Sequence, residues 1–322
     1  MHSVDNLMHD YSGGVPGASV LVVRDGKVVV RKSYGMANLE ERIAATPGTN
    51  YRLASVTKQF TAAAILMLAK GGKLSLDDPI AKYLALPGYA NAITVRQLLT
   101  HTSGLFDYED LIPPGTTRQL KDADVLEILK EDNPTYFPPG TRYRYSNTGY
   151  AFLALIVERV SGQRFADFLR ENIFKPAGMH ATVAFEEGIS SVSQRAFGYS
   201  RSESGWHRSD QSLTSAVLGD GGIYTSIDDL VHWIAWLDSG EFDEALVPAT
   251  ATDDPTVRYG FGWRISEHAG QRLVWHSGET IGFRNAIVRF PDRHLAVVVL
   301  TNRNEGKPYG IAIEIADMFL AQ

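Results

Sequence analysis

Apolar positions follow two different periods along the 322 residues, strand-like toward both ends and helix-like in the middle. "ASVLVVRDGKVVVRKSYG", residues 18–35, is a pair of β-branched runs joined by Asp25-Gly26, which predicts a hairpin. "FGWRI", "RLVWHSG" and "FRNAIVRFPDRHLAVVVLTN" predict three or four more strands between 261 and 302, with Pro291 to His294 as a turn. The final "PYGIAIEIADMFLAQ" reads as a helix with Pro308 near its start. Between the ends, apolar residues recur at helical spacing over 57–70, closed by Gly71-Gly72, and over 94–100, opened by the capping box Thr94-x-x-Gln97. The same spacing covers 121–131, 148–161 and 163–174. "GDGGIYTSIDDLVHWIAWLDSG" is a glycine turn and then a helix that Ser226 can cap, with Asp228 and Asp229 in its first turn.

Strands at both ends around helices predict an α/β (α+β) chain. An antiparallel sheet formed by both chain ends carries flanking helices and packs beside a mainly helical subdomain. The expected division is 1–72 with 215–322 for the sheet, including the helix that starts near residue 57, and 73–214 for the helices. The functional site is expected at their junction, where pockets are common.

Composition narrows the classes. A hydrophobic fraction of 44% suffices for a packed core. A net charge of −6 with no long Lys/Arg run gives no electrostatic footprint for nucleic acid or an anionic membrane surface. With no cysteine there is no disulfide, thiolate metal site or cysteine nucleophile. No apolar stretch approaches the length of a membrane span. The start, "MHSVDNLMHDYSGG", lacks a charged n-region and an apolar h-region, so a cytoplasmic location is expected for the sequence as it stands. A signal peptide already removed would make it periplasmic or secreted.

The candidate chemistry begins in "RLASVTKQFTAAAIL", residues 52–66. Ser55 and Lys58 lie three positions apart, on one face of a helix, as a nucleophile and its proton acceptor require. A lone SxxK arises by accident roughly once in a chain this long. Two other motifs accompany it. "YSN", Tyr145 to Asn147, follows a Pro-Gly loop and precedes an apolar helix; "HSG", His276 to Gly278, follows the strand "RLVW". In that order, the three are hard to explain by chance. There is no GxSxG elbow, no HExxH helix and no GxxxxGK[ST] loop. His101, at a helix end, is read as structural, complementing the helix dipole, and His232 as a surface residue. Phe106, Tyr108, Tyr136 and Phe137 either wall an acyl pocket or pack the core.

These motifs, with "TVRQLLTHTSGL", "YSNTGYAFLALIVERVSG", "GGIYTSIDDLVHW" and "HSGETIGF", resemble the serine β-lactamase and penicillin-binding protein superfamily, for which SxxK is a signature. The similarity lies with the branch holding class C β-lactamases, DD-peptidases and family VIII carboxylesterases, and it covers roughly residues 15–302. The resemblance implies a β-lactamase/transpeptidase-like fold and catalysis by Ser55, Lys58 and Tyr145 without cofactor or metal. Tyr145 would relay or take the serine proton, protonate the leaving group and help activate the deacylating water. Asn147 would bind the acyl side chain and Lys58, and the backbone N–H groups of Ser55 and Glu279 would form the oxyanion hole. His276, Ser277 and Gly278 would flank the substrate.

The β-lactamases of this branch usually carry Lys-Thr-Gly where this chain has His276-Ser277-Gly278. A largely neutral imidazole there gives a β-lactam carboxylate little attraction and costs a neutral ester nothing. The expected activity is that of a carboxylesterase on short-chain esters, with weak β-lactamase activity. The alternatives are a DD-peptidase, D-amino-acid amidase or β-lactamase, or a penicillin-recognising sensor or scaffold without turnover. The expected partner is a small-molecule ester, amide or β-lactam, and the oligomeric state is left open.

Overall fold

The computed structural model describes residues 3–130 and 134–321. Its largest element is a sheet of eight strands: β1 (Ala18–Arg24), β2 (Lys27–Tyr34), β3 (Thr250–Ala251), β4 (Arg258–Tyr259), β5 (Arg264–His268), β6 (Gln271–Thr280), β7 (Phe283–Phe290) and β8 (Leu295–Thr301). Every neighbouring pair is antiparallel, in the order β3-β4-β5-β6-β7-β8-β1-β2. The two chain ends meet where β8 pairs with β1, Ala18 opposite Thr301 and Arg24 opposite Leu295. Asp25 and Gly26 both adopt positive φ, 50° and 71°, the two-residue turn whose twist suits a hairpin. A register shift at Val22/Val23 bulges that hairpin.

The central strands read as nearly unbroken apolar runs because both of their faces are covered. Leu21, Val23, Ile287, Val298 and Leu300 face one core cluster, and their neighbours Val20, Val22, Val288, Val297 and Val299 face another, as the two-residue strand period dictates. The first cluster continues without a break into the helices α1 (Lys58–Lys70), α2 (Asn147–Ser161) and α3 (Ile227–Asp238), through Phe60, Phe152 and Trp233. The second is closed by α4 (Pro308–Leu320) with Ala312, Ile315 and Ala316, and by Met8 and Tyr11.

The helical pattern holds with shifted ends. The capping box at Thr94 and Gln97 forms, opening a short helix Val95–Leu99. Gly162, at φ 70°, closes α2, and Ser226 caps α3. The pattern over 121–131 gives Asp122–Ile128, with residue 131 outside the described residues. Over 163–174 the helix Phe165–Leu169 widens into a π-turn, Arg170–Phe174. The edge strands β3 and β4, two residues each, have no counterpart in the sequence reading. Among the described residues no helix is long and apolar enough to cross a membrane.

Candidate active site

A small three-stranded sheet delivers the nucleophile. Tyr51–Arg52 pairs with Ile223–Thr225, and the Leu53 N–H donates to the Ile223 carbonyl at 2.8 Å. The chain then turns through Ala54, at φ 51°, into a 3₁₀ turn, Ala54–Thr57, that runs straight into α1. A left-handed alanine costs about 1–2 kcal/mol, so its surroundings must hold it there. Two glycines let other backbone pack close to this turn. A Cβ added to Gly221 would lie 3.5 Å from the Ala54 Cα, and one added to Gly278 would fall on the Leu53 carbonyl oxygen, 3.2 Å from the Ser55 nitrogen. Ser55 is left half-buried at the first turn of the helical run, where its N–H has no intrahelical acceptor.

Lys58 is fully buried. Its Nζ lies 3.0 Å from Ser55 Oγ, 2.8 Å from Asn147 Oδ1 and 3.0 Å from the Asp220 carbonyl oxygen. An ammonium donates to all three. The neutral amine keeps two of these bonds and turns its lone pair to the serine hydroxyl, so one arrangement serves both protonation states. Asn147 opens α2 and is clamped by a turn beside it: its N–H donates to Asp107 Oδ2 at 2.9 Å and its Nδ2 to Glu109 Oε1 at 3.2 Å. Those contacts face the amide oxygen toward Lys58. Tyr145 lies with its ring centroid 4.9 Å from Lys58 Nζ. Its hydroxyl is buried and has no hydrogen-bond partner among the described residues.

Strand β6 brings the third motif. Its pairing with β5 stops at Trp275 opposite Arg264, so residues 276–280 pair with β7 alone and leave an edge toward the nucleophile turn. Glu279 and Thr280 line a cleft of about 40 Å³ with Ala54, Ser55, Tyr108, Glu109 and Asn147. Gly278 packs on the backbone at Ser55, and Ser277 is half-buried on the opposite face of the strand. His276 differs from the expectation of a substrate contact. It is 2% exposed, with Nε2 at 3.0 Å from the Tyr259 hydroxyl and Nδ1 at 2.7 Å from the Ser277 carbonyl oxygen. Burial, with Arg264 and Lys58 nearby, pushes its pKa down to about 3. The imidazole is neutral, but both nitrogens are engaged inside the protein. Tyr259, 17 residues upstream on β4, is what draws it in.

His101 also departs from its expected role. It is 1% exposed and burial holds its pKa well below the ordinary value, so it brings no positive charge to the helix end. His232 is exposed on α3, as expected. Of the four aromatics, Tyr108 reaches the cleft, whereas Phe106 and Tyr136 pack against each other at 4.6 Å and Phe137 packs on Gly104.

Asp107, Glu109 and Asp220 were not singled out by the sequence reading, although an acid within the apolar, glycine-rich "VLGDGGIY" was a usable signal. Asp220 is 7% exposed, its Oδ2 takes the Tyr108 hydroxyl at 2.9 Å, and burial, partly opposed by Lys58, raises its pKa from 3.8 to about 8. Because the folded state holds this proton more tightly than the unfolded chain, the associated stability is fully present below pH 3.8 and is lost as pH rises through about 8. Melting temperature is therefore expected to fall between pH 5 and 9, and Asp220→Asn, which mimics the protonated acid, to flatten that slope. An unchanged slope in the variant, followed by calorimetry across this range, would remove Asp220 as its source.

The beta-lactamase family model matches residues 4–321. Penicillin-binding protein 4* of Bacillus subtilis (strain 168) is 30% identical over 95% of this chain and 71% of its own length. A D-aminopeptidase of Brucella ovis is 33% identical over 93% of this chain, which spans only 58% of that protein. A solved penicillin-binding protein from Bacillus halodurans superposes with a TM-score of 0.86 at 31% identity, covering 99% of both chains. By sequence, fold and the order of its motifs, the chain belongs to the beta-lactamase family, within the serine beta-lactamase and penicillin-binding protein superfamily.

Proposed function

We propose that this protein is a serine hydrolase that works through an acyl-enzyme on Ser55, with short-chain carboxylic esters as its substrates. The observation that carries the reading is the fully buried Lys58, whose Nζ lies 3.0 Å from Ser55 Oγ and is fixed from behind by Asn147 and Asp220. As the neutral amine, Lys58 takes the proton while Oγ attacks the substrate carbonyl carbon, either directly or through Tyr145. The carbonyl electron pair moves to oxygen, where the Ser55 and Glu279 N–H groups receive it; such donors are worth about 3 kcal/mol each. When the tetrahedral adduct collapses, the bond to the leaving group breaks and Tyr145 returns the proton to that group. Water, deprotonated by the same pair, then releases the acid and restores Ser55.

Two features support small, uncharged acyl groups. The cleft holds about 40 Å³, far below the roughly 300–1,000 Å³ of sites for larger ligands. Its lining includes the carboxylate of Glu109, the Glu279 carboxylate paired with Arg284, and the buried Arg52, whose Nε and Nη2 donate to backbone carbonyls, while the donors of Lys58 are all engaged. A second reading, hydrolysis of amides whose acyl group carries an amine, is favoured by Glu109 at the cleft and by the D-aminopeptidase relative. The test compares kcat/KM for p-nitrophenyl butyrate, D-alanine p-nitroanilide and nitrocefin. Butyrate is expected to exceed nitrocefin by at least about 100-fold, or about 2.7 kcal/mol of transition-state binding. Comparable values would put the β-lactamase reading first, and a preference for the anilide would establish the amide reading.

A further inference from the structure

The loop that presents Tyr145 is held from one side by a single residue of the preceding helical segment. His101 accepts the Arg144 N–H on its backbone oxygen at 2.9 Å and the Ser146 N–H on its ring Nδ1 at 3.1 Å. These are the two residues that flank Tyr145. Between the two bonds, the His101 ring lies against the Tyr145 ring, centroids 4.3 Å apart and planes inclined by 34°. The backbone oxygen and the ring can point the same way because His101 adopts φ 58°, a left-handed conformation rare in side-chain-bearing residues. Tyr150 and Tyr259 stand around the ring at 5.1 and 4.6 Å.

We propose that His101 is a positioning residue for the hydrolysis at Ser55, setting the place of Tyr145 by clamping the backbone on both sides of it and stacking on its ring. The proposal rests on the acyl-enzyme reading above. His101 is not itself placed as a proton carrier: Nδ1 is occupied by the Ser146 N–H, and Nε2 has no partner among the described residues, the Tyr145 hydroxyl included. Burial, its largest cause, holds the His101 pKa well below the ordinary value and keeps the ring neutral, which leaves Nδ1 free to accept. Asn147 is affected too, since it follows Ser146 directly in the chain and takes its place at the start of α2.

Two variants separate the clamp from bulk packing. Asparagine places Oδ1 where Nδ1 stands and tolerates the left-handed region, so His101→Asn keeps an acceptor for Ser146 and loses the stacked ring. His101→Ala loses both. With p-nitrophenyl butyrate, kcat is expected to fall roughly 10-fold in His101→Asn and about 100-fold in His101→Ala, with KM within about twofold, since misplacement by about 1 Å costs that order. Placed on Tyr145→Phe, His101→Asn is expected to add no further loss. Wild-type kcat in His101→Asn, or losses that multiply with Tyr145→Phe, would overturn the proposal. Labelling of the wild type by a fluorophosphonate is run alongside. If Ser55 is not the residue labelled, the hydrolase reading itself fails, an outcome distinct from labelled Ser55 with an indifferent His101.

Discussion

Ser55→Ala is expected to lower kcat by on the order of 10⁶-fold, the scale on which removal of a serine nucleophile acts. The fold is expected to survive. Ser55 is half-buried and its side chain contributes one of the three acceptors around Lys58 Nζ, so its loss leaves one donor unpaired, at a cost of about 1–3 kcal/mol. Covalent labelling by a fluorophosphonate should vanish with the hydroxyl. Ser103 offers no substitute: it is 1% exposed, and its Oγ accepts the Leu105 N–H at 3.3 Å. Stoichiometric labelling of Ser55→Ala would place the nucleophile elsewhere and defeat the account.

Lys58→Ala and Tyr145→Phe are each expected to reduce kcat by roughly 10⁴-fold, about 5.4 kcal/mol of transition-state stabilisation. The double variant should lose little beyond the worse single one. Lys58 Nζ lies 3.0 Å from Ser55 Oγ and 4.9 Å from the Tyr145 ring centre, and in the proposed mechanism one proton passes through both groups. Groups that act as a unit cannot each be removed at full cost. Losses that multiply would mean two separate proton routes. Steady-state kinetics on one ester, with folding checked by circular dichroism, decides between them.

The parts of this architecture that were legible in sequence are those encoded locally. The hairpin at Asp25-Gly26 needs two residues tolerant of positive φ, and both take it. The strands β5 to β8 announce themselves because burial on one or both faces demands β-branched and apolar runs. SxxK placed Ser55 and Lys58 together because helical spacing alone does so, and Lys58 Nζ is found 3.0 Å from Ser55 Oγ.

What stayed hidden depends on segments distant in sequence. Nothing about an alanine marks Ala54 for φ 51°; the residue before it is hydrogen-bonded to Ile223 and the turn packs on the Gly278 backbone, both distant in the chain. The third partner of Lys58 is the backbone carbonyl of Asp220, an atom every residue possesses. The resemblance implies that His276 flanks the substrate, whereas the β4 residue Tyr259 holds its ring inside. β3 and β4 are too short for any periodicity and exist through their pairing with each other and with β5. His101 sat in a recognisable place, but its bonds to residues 144 and 146 span more than 40 positions.

The central claim, an acyl-enzyme on Ser55, is tested most directly by trapping it. The wild type is mixed with excess p-nitrophenyl butyrate, whose good leaving group makes acylation fast relative to deacylation, quenched in acid during turnover, digested with trypsin and analysed by mass spectrometry. A butyryl group is expected on the peptide Leu53–Lys58, located at Ser55 and absent when Ser55→Ala is treated in the same way. Continuing turnover with no adduct on that peptide, or with the butyryl group on another residue, would contradict it.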